Sequence, residues 1–170
     1  MNVQLHVMSA RHGVSQLGNN IRIDDYVVIS AGGGSFDVGD HVHIAAAAYF
    51  GCRGGITLSD FCGVAQGSRL YSGNDDYSGD ALTGPTIPDR YRKVHIAPVT
   101  MGRHVVLGTG SIVLPGVTVG EGSSVGALSL VTKSLGDWGV FVGAPARKLK
   151  DRSRRMLEFD ALLTAEERNA

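Results

Sequence analysis

Two adjacent carboxylates stand in the segment LYSGNDDYSG, residues 70–79, with an amide before them and a tyrosine on each side. Asp75 and Asp76 follow Asn74, so one short stretch offers hydrogen-bond donors, acceptors and a proton carrier. Such groups can orient a polar substrate and move a proton during a reaction. The two tyrosines would either stack on a substrate ring or pack the segment against the rest of the protein. We predict that Asn74, Asp75 and Asp76 belong to a catalytic site.

A second cluster is basic, because the segment RKLKDRSRR, residues 147–155, holds six cations in nine residues. Clustered Lys and Arg favour a ligand that carries phosphates, although a solvated helix face has the same composition. The whole chain has 16 basic and 16 acidic residues, and this balance disfavours a general nucleic-acid-binding or membrane-surface protein. The cluster therefore suits a phosphate-bearing cofactor better than a nucleic acid.

A repeat of six residues must position both clusters. Apolar residues recur at every sixth position in five groups of three. The positions are Leu17, Ile23, Ile29, Val38, Ile44, Phe50, Leu58, Val64, Leu70, Met101, Leu107, Val113, Val119, Val125 and Val131. Six residues per side and three sides per turn predict a triangular parallel β-coil with these side chains stacked inward. An α-helix would repeat near 3.6 residues and would not accept 24 glycines.

One joint of the coil carries a long insertion. The step between successive apolar positions is thirty-one residues from Leu70 to Met101, against six to nine at the other joints. Long excursions from a rigid scaffold usually carry function. We predict a single domain with coils over about 15–133, a site loop over 71–100, and a tail with a short helix over 134–170.

Composition limits the setting of this domain. The chain has no apolar run of the roughly 18 residues that a membrane span needs, and its N-terminus has no basic-then-apolar signal pattern. Cys52 and Cys62 lack metal-ligand spacing and suit a reduced cytoplasmic protein. We expect a cytoplasmic protein with no membrane span, no bound nucleic acid and no metal.

The C-terminal half resembles the hexapeptide-repeat acyltransferases, and within them the galactoside, maltose and sugar-nucleotide acetyltransferases. The resemblance is carried by MGRHVVLGTGSIVLPGVTVGEGSSVGALSLVTKSL and by the closing VFVGAPARKLK. It implies an all-β solenoid, a left-handed parallel β-helix of about five coils. It also implies a homotrimer that binds acetyl-CoA as acyl donor between its subunits and accepts a sugar or a nucleotide-linked sugar.

The same resemblance assigns the cofactor contacts. Matched by motif, the pantetheine contacts are Gly108, Thr109, Gly126, Ala127, Thr132 and Lys133. The phosphate contacts are Arg147 and Lys150. Glycine at two of these positions would let a cofactor approach the backbone closely.

The loop departs from the family's pattern. Sugar O-acetyltransferases of this kind carry a histidine there that takes the proton from the acceptor hydroxyl, and its place falls on Asp75. A carboxylate with a pKa near 3.9 is a poorer base at pH 7 than an imidazole near 6.5, unless Asp76 or burial raises the pKa of Asp75. An amine acceptor needs less help, since it is a nucleophile once neutral. The substitution favours N-acetylation of an amino sugar, and a sugar O-acetyltransferase is the alternative.

Histidines are the other candidate bases. His41 and His43 alternate along one predicted strand and would share a side of it. His95 lies where the insertion returns, and His104 leads into the first predicted cofactor corner. We select His104 first and His43 second.

The sequence thus predicts an acetyl-CoA-dependent transferase in surface polysaccharide synthesis, acting on the amine of a nucleotide-linked amino sugar. Catalysis would rest on proximity and on backbone N–H groups that stabilise the oxyanion. A γ-type carbonic anhydrase would need three histidines from neighbouring coils, and the spacing of His95 and His104 does not match it. A non-catalytic hexapeptide scaffold would have no use for a cofactor track.

The two ends of the chain carry weaker patterns. Residues 1–16 are interpreted as an initial strand or a cap for the first coil. The segment DRSRRMLEFDALL has apolar residues at near-helical spacing and predicts a short helix. The segment TAEE after it is a capping-box pattern that would open one further turn.

Overall fold

The computed structural model describes residues 6–7 and 16–168, with side chains from residue 16 onward. Within them the chain forms 19 strands, one 3₁₀ helix and one α-helix. In chain order the strands are β1 (His6–Val7), β2 (Arg22–Ile23), β3 (Val28–Ser30), β4 (Phe36–Val38), β5 (His43–Ile44), β6 (Tyr49–Gly51), β7 (Ile56–Leu58), β8 (Gly63–Val64), β9 (Arg69–Tyr71), β10 (Gly73–Asn74), β11 (His95–Ile96), β12 (Val99–Met101), β13 (Val106–Leu107), β14 (Ile112–Val113), β15 (Thr118–Val119), β16 (Ser124–Val125), β17 (Leu130–Val131), β18 (Gly139–Val142) and β19 (Arg147–Asp151). The 3₁₀ helix is Asp89–Tyr91, and the α-helix, α1, is Met156–Arg168.

The strands wind into a left-handed parallel β-helix with three faces, which confirms the predicted all-β solenoid. Face A consists of β1, β3, β6, β9, β14 and β17, and face B of β4, β7, β12 and β15. Face C consists of β2, β5, β8, β13, β16 and β18, with β19 antiparallel to β18. The single bridges Leu17–Val38 and Val119–Leu135 extend face B at both ends. The described coil therefore has about six rungs on each face, one more than the repeat predicts.

The inward positions of the repeat stack in register. One column on face B consists of Val38, Leu58, Met101 and Val119. Of the fifteen predicted inward positions all are buried except two, namely Ile23, which is half-buried, and Leu17, which is exposed on the first rung. Burial of such aliphatic columns is the main stabilising contribution in a fold that has short strands and few aromatic residues.

The insertion leaves the coil undisturbed. Met101 pairs directly with Leu58, so the rung after the loop stacks on the rung before it. The loop leaves face A after β9 and returns to face B at β12, and its two ends pair antiparallel as β10 and β11. It therefore stands as a hairpin on the corner between faces A and B.

The C-terminal part differs in detail from the predicted tail. The segment RKLKD forms strand β19 against β18, and a solvated helix face does not occur there. Helix α1 runs through TAEE without a break, so this segment opens no separate turn. Within residues 1–16, His6–Val7 forms a strand that pairs with β3, and the rest up to residue 15 lies outside the described residues.

Candidate active site

The loop hairpin brings Asn74 and His95 together. β10 and β11 pair so that Gly73 is opposite Ile96 and Asn74 is opposite His95. Directly opposed residues of an antiparallel pair point to the same face, with Cβ atoms about 4.5–5.5 Å apart. Asn74 is half-buried and His95 is exposed. The fold therefore joins a predicted site residue to a histidine at the far end of the insertion.

Asp75 is held as a carboxylate by the returning chain. Its Oδ1 accepts a hydrogen bond from Nη2 of Arg92 at 3.1 Å, and its Oδ2 accepts one from the backbone N–H of Gly84 at 3.0 Å. The bond from Arg92, followed by that from Gly84, lowers the pKa of Asp75 below its ordinary value. A pKa raised by Asp76 or by burial, which the sequence left open, is thus contradicted. Asp75 can attract and orient a cation, but it takes up a proton poorly at neutral pH.

Asp76 organises the backbone of the loop. Its Oδ1 accepts bonds from the hydroxyl of Ser78 at 2.7 Å and from the N–H of the same residue at 3.1 Å. Its Oδ2 accepts bonds from the N–H groups of Asp80 at 2.8 Å and Ala81 at 3.2 Å. The bonds from Ser78 come first among the causes that lower the pKa of Asp76 to about 2. This pattern favours a structural role in shaping the loop.

Two cavities meet where the loop begins. The first, called the polar cavity because most of the residues that line it carry charged or polar groups, has a volume of about 400 Å³ and is lined by Asn74, Asp75, Asp76, Tyr77, Lys93, Val94 and His95. The apolar cavity has a volume of about 570 Å³ and is lined by Tyr71, Gly73, Asn74, Tyr77, Ile112, Leu114 and Leu130. Asn74 and Tyr77 are common to both walls.

The side chain of Asn74 has an unused acceptor at this junction. Its Oδ1 atom is buried and has no hydrogen-bond partner among the described residues. An unsatisfied buried polar atom costs about 1–3 kcal/mol, so a ligand that donates a hydrogen bond there would be favoured. Of the two tyrosines, Tyr71 packs against Tyr49 with ring centroids 5.4 Å apart, whereas Tyr77 is exposed and free to contact a ligand.

His104 lies at a different corner, between faces B and C. Its ring stacks on Phe61 with centroids 5.0 Å apart, and the ring of Trp138 is 6.4 Å away on the other side. Its Nε2 atom is 3.0 Å from Oδ2 of Asp160 in α1, and only 6% of the residue is exposed. These contacts favour a structural role for His104 over the predicted role of base.

The same corner continues as a stack of rings. The rings of His41 and Phe61 are parallel at 4.8 Å, and Nε2 of His41 is 3.0 Å from Oε1 of Glu167 in α1. His41, Phe61, His104 and Trp138 all have positive φ angles between 52° and 61°. Bulky residues rarely adopt this conformation, so stacking and the carboxylates of α1 offset the strain at this corner.

His43 lies apart from its predicted companion. It projects from face C and is half exposed, and its Nε2 is 3.0 Å from Oδ2 of Asp24. His41 sits at the corner under α1 instead, so the expectation that the two share a side of one strand is wrong. His43 as a base stays a prediction.

The predicted cofactor glycines lie at the corner between faces C and A. A Cβ atom on Gly108 would come within 2.4 Å of the backbone N of Ala127, and one on Gly126 within 2.8 Å of Cγ1 of Val142. The stacking of successive rungs therefore already requires glycine there, whether or not a cofactor binds. Thr109 and Ala127 are exposed side by side at this corner, and O of Thr109 accepts the N–H of Leu128 at 2.8 Å.

The remaining predicted contacts are also exposed. Thr132 and Lys133 follow β17, and Arg147 and Lys150 lie on β19. Other cations of the basic segment have partners within the protein. Nζ of Lys148 is 2.7 Å from Oδ1 of Asp151, the guanidinium of Arg154 lies over Trp138, and Nη1 of Arg152 donates to three carbonyl groups, that of His104 among them. Nη1 of Arg147 donates to the carbonyl of the neighbouring residue Ala146 at 3.0 Å, although the side chain is exposed. Lys150 is thus more available to a phosphate than Lys148, Arg152 or Arg154.

From the sequence, His95 is one of the candidate bases, but His104 and His43 are selected ahead of it. The insertion at a single corner is the signal that could have favoured His95. The two ends of such a loop must lie close together, which brings the residues near 95 to those near 74. Which residue faces Asn74 depends on the register of a two-residue ladder, and spacing alone does not fix that register.

Within residues 6–7 and 16–168, no helix could span a membrane. The same residues contain no group of three or more metal-ligating side chains arranged around a common point.

No family model matches the chain. It is 38% identical over 163 residues to dTDP-4-amino-4,6-dideoxy-D-glucose acyltransferase of Escherichia coli, which covers 95% of this chain and 85% of that relative. It is 32% identical over 142 residues to galactoside O-acetyltransferase of Lactococcus lactis, covering 81% of this chain and 64% of that relative. Among solved structures, AntD, an N-acyltransferase from Bacillus cereus in complex with dTDP and 3-hydroxybutyryl-CoA, superimposes with a TM-score of 0.86. The two are 40% identical, over 92% of this chain and 82% of AntD.

Proposed function

Because this chain belongs to the hexapeptide-repeat family of CoA-dependent sugar acyltransferases, we propose that it transfers an acetyl group from acetyl-CoA to the amine of a nucleotide-linked amino sugar. The acceptor is supported by the relative from Escherichia coli, which is named for a dTDP-linked 4-amino sugar, and by AntD, which binds dTDP. Two further relatives from Escherichia coli are named "Putative lipopolysaccharide biosynthesis O-acetyl transferase WbbJ" and "Putative colanic acid biosynthesis acetyltransferase WcaF", at 30% and 29% identity, and their names support a place in surface polysaccharide synthesis.

The observation that carries this proposal is the chemistry of the junction at Asn74. An ionised Asp75 and the unpartnered Oδ1 of Asn74 both line the polar cavity, and both accept hydrogen bonds. An ammonium or amine group supplies several donors and, as an ammonium, a positive charge. Such a group satisfies both acceptors, whereas a hydroxyl offers a single donor.

The geometry also suggests how the reaction is assisted. Asp75 and Asn74 hold the amine at the junction of the two cavities, and the apolar cavity accepts the acyl end of the thioester. Holding the two reactants in contact contributes much of the rate. Backbone N–H groups of the coil would stabilise the oxyanion of the tetrahedral intermediate.

The cofactor contacts remain those that the family resemblance assigns. One corner, between faces C and A, holds Gly108 and Thr109 in one rung and Gly126 and Ala127 in the next. Thr132 and Lys133 follow at the next corner of the coil, between faces A and B. Arg147 and Lys150 on β19 are exposed cations that suit the phosphates of CoA. We propose that a neighbouring subunit of a homotrimer packs beside these residues, so that acetyl-CoA binds in a groove between the two subunits.

The setting proposed for the enzyme is the cytoplasm. Cys52 and Cys62 are free, and burial raises the pKa of each thiol to about 12. Such thiols are unreactive. Two free cysteines are usual for a protein of a reducing compartment.

A second candidate is sugar O-acetylation of the galactoside type. It is supported by the relative from Lactococcus lactis. It would require a base that deprotonates an alcohol during attack, and the lowered pKa of Asp75 makes that residue unsuitable for the task.

Release of CoA from acetyl-CoA against two groups of acceptors tests the proposal. One group consists of dTDP- and UDP-linked 4-amino sugars, and the other of galactosides and maltosides that have only hydroxyl groups. We expect turnover with the amines alone. Turnover confined to the hydroxyl acceptors would refute N-acylation and establish the second candidate.

A further inference from the structure

We propose that His95 is the general base of this transfer and that Asn74 holds the acceptor amine beside it. The inference rests on the proposed function, since it assigns the proton that N-acylation must remove. Asn74 and His95 are register partners at the base of the hairpin, and both line the polar cavity. Their side chains therefore share one face of the ladder and one space for a substrate.

The environment of His95 differs from that of the other histidines whose side chains are described. The rings of His41, His43 and His104 each lie within hydrogen-bond distance of a carboxylate, that of Glu167, Asp24 and Asp160 respectively. The ring of His95 makes no hydrogen bond within residues 16–168, and the residue is exposed to the cavity. It is therefore the described histidine that is free to accept a proton from a ligand.

The charged groups around His95 suit this role. Asp75, Asp76 and Lys93 line the same cavity, and Arg92 and Gly84 bind the carboxylate of Asp75 from the returning chain. Both carboxylates are ionised at neutral pH, because hydrogen bonds lower their pKa values. Asp75 and Asp76 therefore do not compete with His95 for the proton at neutral pH.

The step balances without a further reactant. The neutral amine attacks the thioester carbon, a C–N bond forms, and the carbonyl electrons move to the oxygen. His95 takes one proton from the resulting ammonium, and the intermediate collapses with cleavage of the C–S bond. The imidazolium then returns its proton to the CoA thiolate, so the products are an amide and CoA thiol. This division of the reaction assigns orientation to Asn74 and Asp75, and proton transfer to His95.

The test compares His95→Ala and His95→Gln with the unchanged protein, using acetyl-CoA and the best amino-sugar acceptor. Loss of a positioned base usually lowers turnover by about 10²–10⁴-fold. We expect a fall of at least about 100-fold in kcat, with the KM for acetyl-CoA and the melting temperature unchanged. Added imidazole should restore turnover in His95→Ala. Ile96→Ala is the matched control, because Ile96 is the next residue of β11 and lines neither cavity.

Each outcome decides between the proposals. Turnover of His95→Ala within about threefold of the unchanged protein would overturn the role of His95 and leave N-acylation standing. A large fall without rescue by imidazole, accompanied by an equal fall in Ile96→Ala, would also overturn it, because the hairpin would then matter only as structure. Absence of turnover by the unchanged protein with any amino sugar would overturn the proposed function and this inference together.

Discussion

The loop hairpin and the corner beneath α1 both bring histidine near carboxylate, yet they use the pair in opposite ways. At the corner, His104 and Asp160 are buried against each other, and the ring is fixed between aromatic neighbours. At the hairpin, the carboxylate of Asp75 is bound by Arg92 and a backbone N–H, whereas the ring of His95 stays open to a cavity. Satisfied polar groups stabilise a fold, whereas an unsatisfied buried polar group at a cavity is available to bind a ligand.

This contrast gives each region its own expected phenotype. Substitutions at the hairpin should change turnover far more than stability. Substitutions at the corner should lower stability and leave turnover per folded molecule nearly constant. Residual activity and thermal unfolding, measured on the same variants, therefore distinguish the two regions.

The largest effect is expected for Asp75→Asn at the hairpin. The amide keeps the shape of the side chain but loses the charge that orients an ammonium, and misplacement of a reactant can cost about 100-fold, so we expect kcat to fall by about that factor. The KM for acetyl-CoA should stay within about threefold, because the predicted cofactor corner lies elsewhere on the coil. Steady-state kinetics with both substrates varied would measure the two effects.

Asp80→Asn is the matched control for this change. Asp80 lies in the same loop, is 3.7 Å from Nζ of Lys93, and lines neither the polar nor the apolar cavity. Its replacement should leave kcat unchanged. Equal kinetics for Asp75→Asn and the unchanged protein would remove Asp75 from the acceptor site.

The next effect is a loss of stability in His104→Ala at the corner. The change removes the stack on Phe61 and the bond to Asp160, and we expect about 2 kcal/mol of destabilisation. In a chain of this size that corresponds to a drop of roughly 4–8 °C in melting temperature. Calorimetry would measure the drop, and kcat at 25 °C should stay within about twofold.

His43→Ala serves as the stability control for that variant. His43 and Asp24 form a pair on face C with half of the histidine side chain exposed. Exposed pairs contribute about 0–1 kcal/mol, so the melting temperature should change little. A His104→Ala protein with full stability and a kcat lowered by about 100-fold would reverse the assignment of the two regions.

The coil and these two regions also differ in how much of their structure can be predicted from the sequence. The coil can be predicted because each rung is formed by a short stretch of sequence. An aliphatic side chain at every sixth residue marks a position that points into the core, as Leu58 and Met101 do on either side of the loop. The last rung was missed because Leu135 and Phe141 do not continue the spacing set by Val131.

The contacts that separate the two regions are long-range, and no short pattern encodes them. His104 meets Asp160 only because α1 folds back over the corner, and Asn74 meets His95 only through the register of the hairpin. The preference for His104 as a base used its place in the repeat, which says nothing about α1. The sequence shows that Asp75 occupies the position of the family's histidine. Its lowered pKa cannot be predicted in the same way, because it depends on Arg92 and Gly84 from the returning chain.

A smaller effect is expected for the acyl group that the site accepts. The apolar cavity of about 570 Å³ is larger than an acetyl group requires, and Leu130 forms part of its wall. Leu130→Trp should lower turnover with butyryl-CoA by about tenfold and leave turnover with acetyl-CoA within about threefold. Tyr26→Trp, at an exposed residue outside both cavities, controls for an added indole. Equal losses with both donors would show that the cavity does not receive the acyl chain.

The smallest effect is expected for the pH dependence of the contacts that hold α1 to the corner, those of Asp160 with Arg103 and His104. Burial raises the pKa of Asp160, but the hydrogen bonds from Arg103 and His104 outweigh it, so the net pKa is lowered. A carboxyl with a lowered folded pKa stabilises the fold above its unfolded pKa, and this contribution is lost as pH falls through the folded value. Asp160→Asn should therefore lower the melting temperature at pH 7, and the difference from the unchanged protein should narrow below about pH 4. A difference that stays constant from pH 7 to pH 3 would mean that shape, and not charge, holds α1 to the corner.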